Sequence, residues 1–261
     1  MADTPKVALI TGGSRGIGQA LSLALAKHGY GVAVVGRTPE RVEQTIALLR
    51  KESPGRQMSY LGLALDISAE KNISQLVSRT LAHFGRIDVL IACAGIGKKS
   101  DSIRVIPHPF HKLPLDEWEE VVGINLTGVF LINREVARVM LRQGGGQIIN
   151  ICYSTTPAGL RGTAYAPAYC ASKFGVVGLT ESLSAEVGHH GVRVQAVFPG
   201  PVDTPLVDET RLARPFGGSL SAEGFASILL GIIEQPLDAT VIHPHVLPFT
   251  DGLGIRRKVE S

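Results

Sequence analysis

At 261 residues, with 44% hydrophobic and 19% charged positions, the chain suits one folded α/β domain and excludes a disordered one. A formal charge of only +3, and no basic run longer than Arg256-Arg257-Lys258, leaves nucleic acid or an anionic membrane surface little to bind. No stretch approaches the ~20 uninterrupted apolar residues of a membrane-spanning helix.

The N-terminus carries Asp3 and enters a strand-like run by Val7, so no signal peptide is expected. Cys93, Cys152 and Cys170 lack Cys-x-x-Cys spacing and suit a reducing compartment, which makes cytoplasm the expected location. Runs rich in β-branched residues over 6–11, 31–36, 58–65, 87–92, 147–151, 192–198 and 239–243 read as strands, with helices between them. Continuous apolar runs such as Val7-Ala8-Leu9-Ile10 suit strands buried on both faces. The expected fold is a Rossmann-type, doubly wound, mainly parallel seven-stranded sheet flanked by helices, forming a single domain over residues 1–261. Residues 96–114 read as a surface loop. The segment from 199 to about 220 follows the sixth strand at the sheet's carboxyl edge, where ligands of open sheets bind, and its part 203–220 reads as a substrate-covering loop.

After the first strand comes Thr11-Gly12-Gly13-Ser14-Arg15-Gly16-Ile17-Gly18, opening a helix with apolar positions Ile17, Leu21 and Leu25. Glycines let the backbone approach a pyrophosphate, and the helix N-terminus presents N–H donors and a positive dipole. The second strand ends Val34-Val35-Gly36-Arg37, without the carboxylate that accepts hydrogen bonds from NAD ribose hydroxyls. Arg37, joined by Arg15, offers donors for a 2′-phosphate, so NADP(H) is the expected cofactor. Tyr169 and Lys173 stand four residues apart in a helical pattern and share one face. A neighbouring ammonium is expected to lower the tyrosine pKa toward working pH, as a general acid/base requires.

With Ala94-Gly95 after the fourth strand, Asn125 in Ile-Asn-Leu-Thr-Gly, Tyr169-x-x-x-Lys173 and Pro199-Gly200-x-x-x-Thr204, the chain resembles the short-chain dehydrogenase/reductase family from about residue 5 to 245. The resemblance implies that Tyr169 donates a proton to a carbonyl oxygen, that Lys173 also binds the nicotinamide ribose, and that Asn125 holds a water leading to solvent. It implies further cofactor contacts at Gly12, Ser14, Ile17 and Gly18 in the turn, at Asp66 and Ile67 by the adenine, at Ala94 and Gly95, and at Gly200, Val202 and Thr204 by the nicotinamide. It also implies pairing of the helices that carry Asn125 and Tyr169 into a homodimer or homotetramer, with Val176, Leu179 and Leu183 as permissive apolar positions.

Two departures stand out. Ala92-Cys93-Ala94-Gly95 lacks a side-chain amide common in the family, and Cys93 reads as a core residue. The family's substrate-orienting serine has no clear counterpart. Counting from the strand puts Tyr153 there; counting back from Gly159 and Tyr169 puts Thr156 there. An inserted loop reconciles the two counts, so that Ser154 or Thr156 supplies the hydroxyl. Ser154 is favoured because strand registers shift less easily than loops. His243 and His245 flank a proline without a third ligand, so no metal is expected. The expected activity is NADP(H)-dependent reduction of a ketone or aldehyde, or oxidation of an alcohol. A 3-oxoacyl reductase is the alternative within the class, and an NADPH-binding sensor without turnover the alternative outside it.

Overall fold

Both faces of the first strand are out of water: all five residues of β1 (Val7–Thr11) are buried, as are all six of β2 (Gly31–Gly36). The computed structural model describes residues 5–52, 59–100, 108–155, 159–206, 218–236 and 239–249. Along the chain, α1 (Gly16–Lys27) follows β1, and α2 (Pro39–Glu52), β3 (Tyr60–Ala64), α3 (Glu70–Phe84) and β4 (Val89–Ala92) follow β2. Then come α4 (Leu115–Val122), α5 (Gly128–Gln143), β5 (Gly146–Ile151), α6 (Pro167–Val187), β6 (Val192–Pro199), α7 (Ala222–Ile233) and β7 (His245–Val246). The seven strands form one sheet in the order β3-β2-β1-β4-β5-β6-β7, with parallel pairing throughout. The expected doubly wound architecture is therefore present.

Successive strand residues feed opposite faces. Leu9, Leu90 and Ile148 pack with Ile73 and Leu76 of α3 and with Ile132 and Val136 of α5. Ile10, Ile91 and Ile149 pack with Leu21 and Leu25 of α1 and with Phe225 and Leu229 of α7. This period-two division requires helices on both sides of the sheet. Helix ends follow local chemistry. Gly85 closes α3 and Gly144 closes α5 in the left-handed conformation, while the Ser221 side chain accepts the Gly224 N–H at the start of α7. A π-turn over Gly123–Thr127 joins α4 to α5.

The last strand differs from expectation. Residues 239–243 do not pair with β6; instead the Gln195 Nε2 donates to the Val241 carbonyl at 2.8 Å, a side-chain link in place of a ladder. The backbone turns at His243 (φ 49°), and pairing begins beyond it: the Phe198 N–H donates to Pro244 O and the Gly200 N–H to Val246 O. Other strand ends move by a residue or two, and Met58 lies outside the described residues. Of the apolar positions on α6, Val176 is buried and Leu179 and Leu183 are partly buried against the core, whereas Phe130 on α5 and Phe174 on α6 are exposed. Among the described residues, no helix is long and apolar enough to cross a membrane.

The tightest backbone approach is at the start of α1. A β-carbon on Gly18 would stand 2.3 Å from the Gly12 carbonyl oxygen, and Gly12 itself has φ 67°. Gly18→Ala is expected to cost about 1–3 kcal/mol through forced backbone shifts, read as a melting temperature several degrees lower; an unchanged melting temperature would contradict this packing.

Candidate active site

The carboxyl ends of β1, β2 and β4 open onto one groove at the point where the strand order reverses, the ligand crevice of open α/β sheets. Gly12, Ser14, Arg15, Ile17, Gly18, Arg37, Asp66, Ile67, Ala94, Gly95 and Thr204 all line it. Arg15 precedes α1 in extended conformation without a side-chain cap, and the first turn holds no acidic residue. The leading N–H groups of α1 thus keep their polarity for a ligand. Asp66 lies at the groove, but its Oδ1 accepts from the Ser68 N–H at 2.9 Å and the Ser68 hydroxyl at 2.8 Å, a local turn that spends that carboxylate oxygen.

Arg37 projects from the end of β2 and donates through Nη1 to Ser100 Oγ at 3.1 Å, with Glu120 Oε1 at 3.9 Å. Ser100 Oγ donates in turn to Glu120 at 2.5 Å, and Lys99 pairs with Asp116 at 2.8 Å. The segment after β4 is therefore tied both to α4 and to the arginine at the groove. Sequence reading missed this link, and it missed Arg41, Lys98 and Lys99 as groove residues. The signal for Arg41 is its place one turn beyond Arg37, in the opening of α2.

A second, smaller cavity of about 60 Å3 continues from the groove, sharing Ile17, Cys93, Gly95, Thr204 and Leu206 with it. Tyr169, Lys173, Gly200 and Val202 line this deeper part. Helix α6 delivers both catalytic candidates because their spacing of four puts them on one face. Lys173 Nζ donates to the Ile151 carbonyl at 2.8 Å and stands 5.8 Å from the Tyr169 ring centroid. Asn125 is fully buried. Its Oδ1 accepts from the Ile96 N–H at 2.8 Å, and its Nδ2 donates to Ile96 O at 2.9 Å and Ser172 Oγ at 3.3 Å. A β-carbon on Gly95 would lie 3.3 Å from Asn125 Oδ1 and 3.7 Å from Lys173 Nζ, so the three converge.

One electrostatic expectation is reversed. Burial, followed by the proximity of Tyr153, holds the Tyr169 phenol well above its ordinary value of 10.0, and burial also holds Lys173 below its own. The lysine nitrogen is bound to a carbonyl and lies by the tyrosine ring, so its attraction does not outweigh desolvation. The thiols are likewise protonated: burial pushes Cys93 up to about 11 and Cys152 up to about 12. Cys93 is only half-buried and lines both cavities, so it is a wall of the site as well as a packing residue.

Ser154 does not come to the cavity. Its hydroxyl bonds His245 Nδ1 at 2.6 Å and the Phe198 carbonyl at 3.3 Å, because its N–H continues the β5–β6 pairing to Pro199 O and turns the side chain toward β7. Thr156 lies outside the described residues, as do 101–107 and 207–217 of the two irregular segments. Tyr153, reached by counting from the strand, lines the cavity with Tyr169. The base of the second segment is closed by a bridge between Val202 and Leu220. His243 Nε2 stands 3.0 Å from Glu181, so both histidines have protein partners.

This arrangement agrees with what the chain resembles. Residues 6–215 match the short chain dehydrogenase family, and the protein belongs to the short-chain dehydrogenase/reductase family of oxidoreductases, which act on alcohol or carbonyl groups with a nicotinamide dinucleotide. It is 38% identical over 241 residues to the short-chain reductase protein NovJ of Streptomyces niveus, covering 90% of this chain and 85% of that one. It is 35% identical over 226 residues to levodione reductase of Leifsonia aquatica, covering 86% and 80%. A crystal structure of levodione reductase superposes with a TM-score of 0.81 at 30% identity, covering 95% of this chain and 97% of the other. A 3-ketoacyl-(acyl-carrier-protein) reductase from Brucella melitensis, complexed with NADH, gives 0.80 at 27% identity, covering 92% and 96%.

The raised Tyr169 phenol has a direct optical test in the cofactor-free protein. The tyrosinate difference spectrum between wild type and Tyr169→Phe should stay flat up to pH 10, because the buried neutral form is favoured until well above that value. A tyrosinate band at pH 8 that vanishes in the variant would contradict it.

Proposed function

We propose that the chain is an NADP(H)-dependent reductase of small ketones or aldehydes, or the corresponding alcohol dehydrogenase, with Tyr169 as general acid/base. The observation that carries this reading is the meeting of Tyr169, Lys173 and Gly95 in one cavity continuous with a glycine-walled groove at the N-terminus of α1. That groove fits a dinucleotide. Its floor is backbone at Gly12 and Gly18, with no side chain to obstruct a pyrophosphate, and Ser14 and Arg15 flank the uncapped turn. Arg37, Arg15 and Arg41 give the adenosine end three guanidinium groups for a 2′-phosphate, and β2 ends without a carboxylate. Ala94, Ile67 and the backbone of Asp66 would border the adenosine half; Gly200, Val202 and Thr204 would border the nicotinamide.

When bound, the nicotinamide carries the hydride. In reduction Tyr169 gives its phenolic proton to the substrate oxygen as charge builds there, and in oxidation it takes that proton back. Burial favours the protonated phenol and so suits the reductive direction. Lys173, held by the Ile151 carbonyl, is placed to bind ribose hydroxyls and to stabilise the tyrosinate once it forms. Asn125 positions Ile96 and α6, and completes a relay to solvent through water.

The likeness to a 3-ketoacyl reductase supports a second reading, a 3-oxoacyl reductase. The approach to the final strand speaks against it, since it runs Thr240-Val241-Ile242-His243-Pro244 without the Thr-Gly opening of acyl-carrier reductases. A sensor without turnover has no use for the buried Tyr169 and Lys173. The same reading makes the protein a cytoplasmic homodimer or homotetramer, with exposed Phe130 and Phe174 contributing to the pairing face.

Following cofactor absorbance over a panel of compact ketones and a 3-oxoacyl thioester tests the reading. Tyr169→Phe should lower kcat on the best ketone by roughly 10²–10⁴, and turnover of no panel member by wild type would overturn it. NADPH should bind more tightly than NADH, and Arg37→Ala should bring the two within about tenfold; tighter NADH binding in wild type would overturn the cofactor assignment.

A further inference from the structure

Arg15, Arg37 and Arg41 line the adenosine end of the groove, and among the described residues Arg37 is the one of the three whose guanidinium has a side-chain partner. That partner, Ser100, lines the groove as well. Arg37 Nη1 donates to Ser100 Oγ at 3.1 Å, and Ser100 Oγ donates onward to Glu120 Oε1 at 2.5 Å. A serine has one hydroxyl proton, so giving it to the carboxylate leaves the oxygen lone pairs for the arginine. The chain thus runs from cation through hydroxyl to anion, with both hydrogen bonds charge-assisted. Ser100 is itself held from two further directions. Its N–H faces both carboxylate oxygens of Glu120 at 3.4 Å, and Lys99 beside it pairs at 2.8 Å with Asp116, one turn before Glu120 on α4.

A long side chain that swings in solvent has to be ordered when it takes up an anion, and that ordering subtracts from affinity. The Arg37 side chain is 44% exposed, so packing does little to order it, and the bond to Ser100 is what restricts it. One N–H spent on the serine leaves the rest of the planar donor fork for a phosphate. Glu120 does not line the groove, so its carboxylate steadies the serine from behind rather than from the side a ligand would occupy. We infer that Ser100, anchored by Glu120, is a positioning residue for cofactor choice: it holds the Arg37 guanidinium ready for the ribose 2′-phosphate and so raises the preference for NADP(H) over NAD(H). A ribose with a free 2′-hydroxyl puts no charge beside that fork and gains little from its being held.

The inference rests on the NADP(H) reading of the groove, and a binding experiment with adenosine fragments separates the two. Adenosine 2′,5′-bisphosphate carries the 2′-phosphate and 5′-AMP lacks it. Each is titrated calorimetrically into wild type, Ser100→Ala, Ser100→Thr, Arg37→Ala and the Arg37→Ala/Ser100→Ala double variant. Ser100 is exposed, so these substitutions remove no core packing and the melting temperature should hold. Wild type should bind the bisphosphate at least about tenfold more tightly than 5′-AMP. Ser100→Ala should weaken bisphosphate binding about threefold to tenfold and leave 5′-AMP unchanged. Ser100→Thr, which keeps the hydroxyl, should stay within about twofold of wild type, and once Arg37 is alanine the loss of Ser100 should change bisphosphate binding by less than about twofold. If Ser100→Ala binds the bisphosphate as tightly as wild type or more tightly, or if Ser100→Thr loses as much as Ser100→Ala, the inference fails while the cofactor reading stands. A Ser100→Ala loss of the same size with and without Arg37 also overturns it, because the serine would then act through something else. If wild type binds the two fragments equally, the NADP(H) reading fails and takes the inference with it.

Discussion

A lysine nitrogen buried away from water has to be met by an acceptor, and Lys173 meets the carbonyl of Ile151, the last residue of β5, at 2.8 Å. Leaving that nitrogen unpaired would carry a large desolvation cost, so the bond draws α6 onto the carboxyl edge of the sheet. Much else at the site follows from it. Tyr169 rides on the same helix face one turn earlier, and Ser172 beside it takes the Asn125 amide, whose other contacts hold Ile96 after β4. One buried polar contact thus aligns the end of β5, the turn after β4 and the helix that carries Tyr169.

The groove half of the site is organised differently, by backbone rather than by side chains. Gly12, Gly18 and Ala94 approach so closely that side-chain volume is excluded, and the polarity comes from uncapped N–H groups at the start of α1. Side chains enter only at the adenosine end, where Arg37, Ser100 and Glu120 connect β2 to the segment after β4 and to α4. These groups are partly solvent-exposed, so each contact is weak on its own. Their consequence is geometric: a group bound at Arg37 meets a loop that is also anchored beside the cavity of Tyr169 through Ile96 and Asn125.

Burial sets the chemistry more than charge pairing does. Tyr169, Tyr153, Cys93 and Cys152 are all pushed toward their neutral forms, and Lys173 is pushed the same way by the same cause. Protonated phenols and thiols around a small cavity give their strongest stabilisation when negative charge appears on a substrate oxygen.

The amino-acid pattern by itself determined what depends on near neighbours in the chain. Runs of β-branched and apolar residues located the strands with helices between them, the glycine turn after β1 marked the groove at the start of α1, and a spacing of four put Tyr169 and Lys173 on one face. Tertiary structure decided what depends on partners far away in sequence. The last strand begins at His245 rather than within 239–243, because the Gln195 side chain occupies Val241 and pairing starts only at Pro244. Ser154 turns to His245, 91 residues away, and leaves the cavity to Tyr153. The direction of the Tyr169 shift also came from the packed surroundings, since a four-residue spacing brings the lysine near the ring without reporting how little water remains. Periodicity is written into consecutive residues, whereas desolvation and long-range hydrogen bonding exist only once distant segments have closed around a site.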